Sequence, residues 1–585
     1  MRSRREIVGS GLGIFAALAF RGGGAFGNTP GAAKGIAAGG GRGVDSGCPP
    51  SGGLPIETTS PQAVLPSSAP TTMVRGLPFM PWYTGDNFPG LDHPAVPPDC
   101  FEEGIPTPTE DVDVVVVGGG ISGLASAYLL RDHNPVLIEM ADRCGGAARG
   151  EMWNGIPYSL GNAYVITPDE GTFLDQIYSE LGMDEAVRVD AGDAPIELNG
   201  IILDGFFDGE GIDPELLPAL EKYREVVTYM ANELYPEIPL PGGDDQWIRD
   251  LDQLTLKQDI EQRMDMEVPD LLAGAIQAYC YSSFAAGWDE ISAASGWNFL
   301  AAEEFGRWVT PGGNSFMAQR MWETLAALDA DVDEPCRPYH VRGGCRVVDV
   351  RPLPFGREQV TYHDSYGNCH AIRAKHVVMA CPKFLCKHIL HHLSDRDFEK
   401  YEAISRLEYR AYLVANVLLD QPVKRDFYDI FLLGDGRFPM SEVEAQQRSA
   451  VCDVLAGNYT RASAPESGSD VLTLYWPLPF DFGRWTLLIG TGWQGYAESL
   501  SGQVRKMLKM LDVPTSAVKQ VRMTRWGHAM PISSPGLIGD GYCEQMQHPM
   551  DQRVWFVQQD NWALPAVENC LLDAKTYTDQ IAALL

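Results

Sequence analysis

The sequence predicts an α/β protein: a Rossmann-like domain on a mainly parallel sheet, joined to a second domain of helices on a mixed β-sheet. Three observations carry that expectation. An apolar strand, Asp113-Val114-Val115-Val116-Val117, runs straight into Gly118-Gly119-Gly120-Ile121-Ser122-Gly123. A helical run from Leu124 to Leu130 follows, and it leads to a second short apolar strand, Val136-Leu137-Ile138, ending on Glu139. At 585 residues the chain is too long for one hydrophobic core and implies two or three domains.

The first two observations also predict a ligand. So tight a strand-to-helix turn needs glycine where φ is positive and where a pyrophosphate comes against the main chain. The helix starting near Ser122 aims unpaired N–H groups at that phosphate, so Gly118, Gly120, Ser122 and Gly123 are candidate dinucleotide contacts. A carboxylate about 20 residues past the glycines is where adenosine ribose hydroxyls need an acceptor, which selects Glu139, with Met140 beside it. Gly22-Gly23-Gly24-Ala25-Phe26-Gly27 satisfies the same pattern with no strand before it and carries no weight. A second strand-borne unit, expected of a separate nicotinamide domain, is absent from the sequence.

The formal charge of -33, from 45 basic against 78 acidic residues, repels phosphate backbones and anionic lipid surfaces. Nucleic-acid binding is therefore disfavoured, whereas cationic substrates are compatible with it; a solvated acidic surface is the plainer reading. At the N-terminus, Ser3-Arg4-Arg5-Glu6-Ile7-Val8 leads into an apolar stretch ending at Phe20, which resembles a twin-arginine export signal with Ala17-Leu18-Ala19 as a cleavage site. The stretch is shorter than the roughly 20 residues a spanning helix requires, and a retained N-terminal anchor is the alternative. The expected location is the periplasm or outside a bacterial cell, reached through the twin-arginine machinery. Residues 21–75 are rich in Gly, Ala, Pro and Ser and read as a tether, and aromatics return in an arm over 76–110.

Twelve cysteines include no CxxC pair or zinc-like doublet, so no metal framework is expected; Cys336–Cys345 and Cys381–Cys386 are candidate disulfides whose connectivity spacing does not fix. His388, His391 and His392 have helical spacing but no fourth ligand. Asp329-Ala330-Asp331-Val332-Asp333 has Glu334 at the glycine position of a calcium loop and is rejected as one.

Farther along, Phe206 to Val268 is acidic and helical in pattern, with Tyr223, Tyr229, Leu234 and Trp247 as inward positions, and a second helical stretch covers Leu271 to Phe305. Pro311-Gly312-Gly313-Asn314-Ser315 opens a helix through Leu328. A strand from Cys345 to Val350 then enters a β-rich portion, in which Gln359 to His363 and Ala371 to His376 bracket the turn Tyr366-Gly367-Asn368. His376 to Ala380 reads as a further strand stopped by Pro382.

In order, Arg143-Cys144-Gly145-Gly146-Ala147-Ala148-Arg149, Pro311 to Ser315, the Val347 to Val350 strand and Ala374 to Pro382 resemble segments of the flavin-containing amine oxidase superfamily. So do Arg525-Trp526-Gly527-His528-Ala529-Met530-Pro531, Ser534-Pro535-Gly536, and the terminal Val554 to Val557 strand with Gln558-Gln559-Asp560 and the helix after Pro565. That superfamily includes phytoene-desaturase and protoporphyrinogen-oxidase types. The resemblance implies FAD rather than NAD, held by a discontinuous domain over 111–165, 310–385 and 545–585, with 166–309 and 386–544 as the substrate domain. It adds Arg143, Gly146, Ala147, Arg149, Val348, Asp560 and Val567 to the candidate FAD contacts, either Arg143 or Arg149 supplying the charge. Trp526 and His528 fall beside the flavin ring and are the candidate catalytic residues. His528 is an acid or base, or an imidazole satisfied by local backbone.

The same resemblance implies hydride transfer to the flavin from a small molecule, at a C–H next to nitrogen in amine-oxidising members. Two features depart from that subgroup. Its aromatic cage positions fall near Ala529 and Ala566, and its flavin-proximal lysine would fall within Leu407 to Leu413, where there is none. Trp526, Trp562, Tyr409 or Tyr412 would then have to rebuild an apolar wall. Alternatives are a desaturase or isomerase acting on an apolar unsaturated molecule, and a flavin-binding envelope protein without turnover.

Overall fold

The computed structural model describes residues 54, 56–65, 69–86, 104–191, 194–242, 245–329, 340–461 and 468–585. The export signal, most of the tether, Cys48, Cys100, Cys336 and Asp331 to Asp333 lie outside them.

Val114 to Val117 are all buried, because the strand Glu110–Val117 sits inside a parallel sheet covered on both faces. The sheet runs in the order Val341–Arg342, Val136–Ile138, Glu110–Val117, Cys369–Met379, Arg357–His363, Arg346–Leu353, with Val554–Phe556 also paired to Cys369–Met379. Every pairing is parallel except the two made by Arg357–His363. The two segments read as Ala371 to His376 and His376 to Ala380 are one eleven-residue strand, Cys369–Met379. Its first half pairs within the hairpin and its second half with the nucleotide strand, so no break separates them. Helix Ile121–Leu129 packs on Ser315–Ala327 and Val567–Leu584, which brings three distant chain segments to one place.

A nine-stranded mixed sheet forms the second body, in the order Ile201–Leu203, Ile196–Leu198, Asp429–Leu432, Asp453–Ala456, Asp470–Leu478, Tyr409–Leu419, Val518–Pro531, Leu77–Gly85, Thr72–Val74. Side chains alternate between its faces, as the two-residue period of a strand requires. Leu413, Ala415, Ile430, Val454, Leu474 and Trp476 form one core with helix Gly492–Met510. Their neighbours Tyr412, Val414, Asp429, Phe431, Asp453 and Tyr475 line a cavity on the other face.

Four expectations are corrected. Residues 56–65, assigned to the tether, are docked: Gln62–Val64 pairs in parallel with Gly150–Trp153, and Thr59 is fully buried. The segment holds on by backbone hydrogen bonds rather than large apolar side chains, which composition does not reveal. Tyr229 is exposed, since it lies six residues past buried Tyr223 and so about 120° around the helix Leu217–Asn232. The helix Lys383–Ile389 ends before His391, so the three histidines share no helix face, and His391 Nδ1 stands 3.3 Å from Asp349. Cys381 and Cys386 are free thiols with sulfurs 3.7 Å apart.

Candidate active site

At the C-terminal end of Glu110–Val117 the chain enters helix Ile121–Leu129 through the glycine turn. Gly118 has φ +108°, and a Cβ on Gly123 would stand 1.8 Å from the Gly118 carbonyl oxygen, so both positions demand glycine. No side chain caps the helix N-terminus and no acidic residue lies in its first turn, which leaves its amides for an anion. A cleft of about 310 Å³ opens there. Gly118, Gly120, Ser122, Glu139, Met140, Gly146, Ala147, Arg149 and Val567 line it.

Glu139 accepts the Gly119 amide at 2.6 Å and the Ala141 amide at 2.8 Å. Burial pushes its carboxyl above the usual range, while those amides pull it back. A carboxylate has lone pairs beyond those two bonds, so a ribose hydroxyl remains within its capacity.

Four of the predicted contacts do something else. Arg143 donates to the carbonyls of Ser60, Pro61 and Gly150 and so pins the docked segment, leaving Arg149 as the cleft guanidinium. Gly123 serves the helix–strand approach. Val348 is buried behind the lining residues Arg346 and Val347. Asp560 is fully buried, accepting the Lys383 amide at 2.8 Å and the Tyr409 hydroxyl at 2.5 Å, so it organises the wall instead of facing the cleft.

At its far end the cleft meets a cavity of about 390 Å³, and Ala147, Asn162, Trp526, Ala529, Gln559, Ala566 and Val567 line both spaces. This junction is where a redox ring in the cleft can meet a substrate. Trp526 is held by its indole N–H donating to Leu160 O at 2.8 Å, and Gln559 donates to Ala529 O at 3.3 Å. His528 lines the cleft with its ring stacked on Phe384, centroids 3.9 Å apart, and edge-on to Tyr409 at 5.6 Å. Of the four residues proposed to rebuild an apolar wall, Trp526 and Tyr412 line the cavity. Tyr409 is turned to Asp560, and the Trp562 indole donates to Asp573.

Sequence reasoning missed Asp86. It follows the strand Leu77–Gly85, lines the cleft and accepts the Gly527 amide at 2.8 Å. Burial raises its carboxyl, opposed first by that amide and then by Arg149. The signal would have been an acid closing an aromatic strand, which is too common to select. Also missed was the cavity's charge: among the described residues, Asp169, Glu237, Glu303, Asp429, Asp453 and Glu568 line it against a single cation, Arg307.

A glycine-turn cleft that ends on a substrate-sized cavity defines an FAD-dependent oxidoreductase of two interleaved α/β bodies. The chain belongs to the flavin-containing amine oxidoreductase family, whose model matches residues 121–534. It is 41% identical over 87 residues to coproporphyrinogen III oxidase of Mycobacterium tuberculosis, a stretch that covers 14% of this chain and 19% of that relative. Oxidoreductase PigB of Serratia sp. is 20% identical over 562 residues, 84% of this chain and 78% of the relative. A redesigned putrescine oxidase superposes with a TM-score of 0.59 at 17% identity, over 81% of this chain and 100% of that one, a likeness of fold. Membership of a family of oxidoreductases sets aside the reading without turnover. Among the described residues no helix is long and apolar enough to cross a membrane.

Proposed function

We propose that this protein oxidises an amine, removing hydride from a carbon next to nitrogen. FAD, when bound in the cleft, supplies the hydride acceptor. The observation that carries this reading is the cavity's charge: six carboxyl-bearing residues against Arg307, which is itself committed to Asp190 and Asp429. Such a wall attracts an ammonium and penalises an anionic or wholly apolar molecule.

Arg149 and the amides of the glycine turn hold the cofactor's charge, while Trp526, Ala529 and Ala566 shape the gap at which the reacting carbon is presented. Trp526 and Tyr412, paired across adjacent strands, keep that carbon's surroundings dry. The two alanines in place of a cage leave the gap wider than an aromatic pair would. That single observation favours the second reading, dehydrogenation or isomerisation of an apolar unsaturated molecule. Anaerobic titration of the purified yellow protein separates the two: bleaching by amines supports the first, and bleaching by unsaturated lipids alone overturns it.

Export through the twin-arginine route belongs to the same proposal and rests on Arg4-Arg5 and the apolar run to Phe20. Replacing both arginines by lysine and fractionating the cells tests it; an unchanged distribution removes it.

A further inference from the structure

The cavity floor is the inner face of the nine-stranded sheet, and its charges are not equally compensated. Arg307 is fully buried and makes a two-pronged pair with Asp429, 2.8 and 3.0 Å, together with an ion pair to Asp190. Glu303 stands 3.4 Å from the same guanidinium and accepts the hydroxyls of Tyr279 at 2.8 Å and Tyr164 at 3.1 Å. Among the described residues Asp453 has no ion pair, the Arg307 charge reaching it only from beyond pairing distance. It is 3% exposed, its Oδ2 accepts only the Ser282 hydroxyl at 3.0 Å, and its Oδ1 meets no hydrogen-bond donor at bonding geometry among the described residues.

A buried, half-satisfied carboxyl on a cavity wall is costly to the empty protein, and the cost is recovered when a donor arrives. Its surroundings fit a cation. Tyr475 and Phe431 lie directly across the ladder from Asp453 on the two adjacent strands, so aromatic side chains flank the carboxyl. Burial first and the Asp429 charge second push the Asp453 carboxyl well above the usual range, against the Ser282 hydroxyl and the Arg307 charge, so a positive charge brought beside it would be stabilising.

Position decides which part of a substrate meets it. The strand of Asp453 is three places from the strand of Trp526 in the sheet, roughly 14 Å at the ordinary strand spacing. A nitrogen beside the reacting carbon at the Ala529 and Ala566 junction therefore cannot also occupy Asp453. We infer that Asp453, framed by Ser282, Phe431 and Tyr475, is a second binding subsite that takes a protonated amine or other cationic hydrogen-bond donor several bonds from the carbon oxidised. This inference rests on the amine reading for its substrate class, and it commits that class to molecules with two separated cationic groups.

The test uses purified holoprotein, a graded series of α,ω-diaminoalkanes and the matching n-alkylamines. Calorimetric dissociation constants and anaerobic flavin bleaching are measured for each, in the wild type, Asp453→Asn and Ser282→Ala. Binding of one diamine length should exceed that of its monoamine roughly tenfold or more, and Asp453→Asn should remove most of that preference, Ser282→Ala part of it. Equal loss for monoamines and diamines in Asp453→Asn, or no diamine preference in the wild type, overturns the subsite. If no amine bleaches the flavin yet the diamine preference and its loss in Asp453→Asn are measured by calorimetry, the amine reading falls and the subsite stands. Should Asp453→Asn fail to fold, Ser282→Ala and Asp453→Ser carry the comparison, with an unchanged diamine preference in both overturning it.

Discussion

The Arg149 guanidinium, on the cofactor cleft, lies 5.1 Å from the centre of the Trp526 ring, which lines both the cleft and the substrate cavity. Its Nε donates to Gly146 O at 3.0 Å, so the head group is aimed by the Gly145-Gly146 pair beside the cleft. Arg143, six residues earlier, is spent on three backbone carbonyls. Replacing each by methionine should therefore have different outcomes. Arg149→Met should yield folded protein with a reduced flavin-to-protein absorbance ratio. Arg143→Met should remove the donors to the Ser60, Pro61 and Gly150 carbonyls, of which Pro61 O keeps the Gly150 amide, and lower stability by about 1–3 kcal/mol, read as a fall in the unfolding midpoint. Equal flavin loss in both variants would reverse the assignment.

Gly123 makes a sharper case. Its added methyl would sit 1.8 Å from a backbone oxygen, a contact no rotamer relieves, so Gly123→Ala must displace the helix from the turn. We expect protein that retains little or no flavin on gel filtration. Gly495, where a Cβ meets open space, is the control, and Gly495→Ala should bind flavin like the wild type.

The nucleotide unit was legible because each of its parts is local. Four valines, a glycine turn and a carboxylate twenty residues on follow from backbone geometry that any neighbour would have to respect. Arg143 against Arg149 was not decidable from spacing, since the difference lies in carbonyls of Ser60 and Pro61 more than 80 residues away. Asp560 was misplaced for a related reason: the hydroxyl and amide it serves come from Tyr409 and Lys383, elements whose approach only the folded chain defines. The acidic cavity was invisible because its carboxyls are scattered from Asp169 to Glu568 and converge only when the strands of Asp429 and Asp453 pack against the 3-10 turn of Glu303, the helix of Glu568 and two loops.

Arg522 of the nine-stranded sheet and Glu151 of the small sheet built on Gln62–Val64, Gly150–Trp153 and Ile156–Ser159 are joined by a buried, two-pronged ion pair, 2.8 and 2.7 Å, in which each side chain is 4% exposed. Tyr158 adds a hydroxyl to the same carboxylate at 2.6 Å. Removing one partner strands the other charge away from water, so Arg522→Met should cost on the order of 3–5 kcal/mol. Arg522→Met combined with Glu151→Met should recover part of that loss, because the orphaned carboxylate is gone. Denaturant midpoints of the two variants check this, and a double variant no better than the single would show that the cost is packing alone.

Burial raises the Asp573 carboxyl to about 6, against donation from the Asn561 amide at 2.7 Å and the Trp562 indole at 3.3 Å. In the unfolded chain the group ionises near 3.8, so between that value and about 6 the native state holds a proton the unfolded state has released. Stability from this group is therefore fully present below the unfolded value and is lost as pH rises to about 6, by about 3 kcal/mol in total. Glu139, Asp453 and Asp560 are raised by burial as well and slope the same way, so the total pH dependence does not identify Asp573. The difference between wild type and Asp573→Asn does: the unfolding midpoint of the variant should decline less between pH 4 and pH 7 than that of the wild type. Parallel declines would mean that Asp573 is ionised in the folded protein throughout, with Asn561 and Trp562 sufficient to hold its charge.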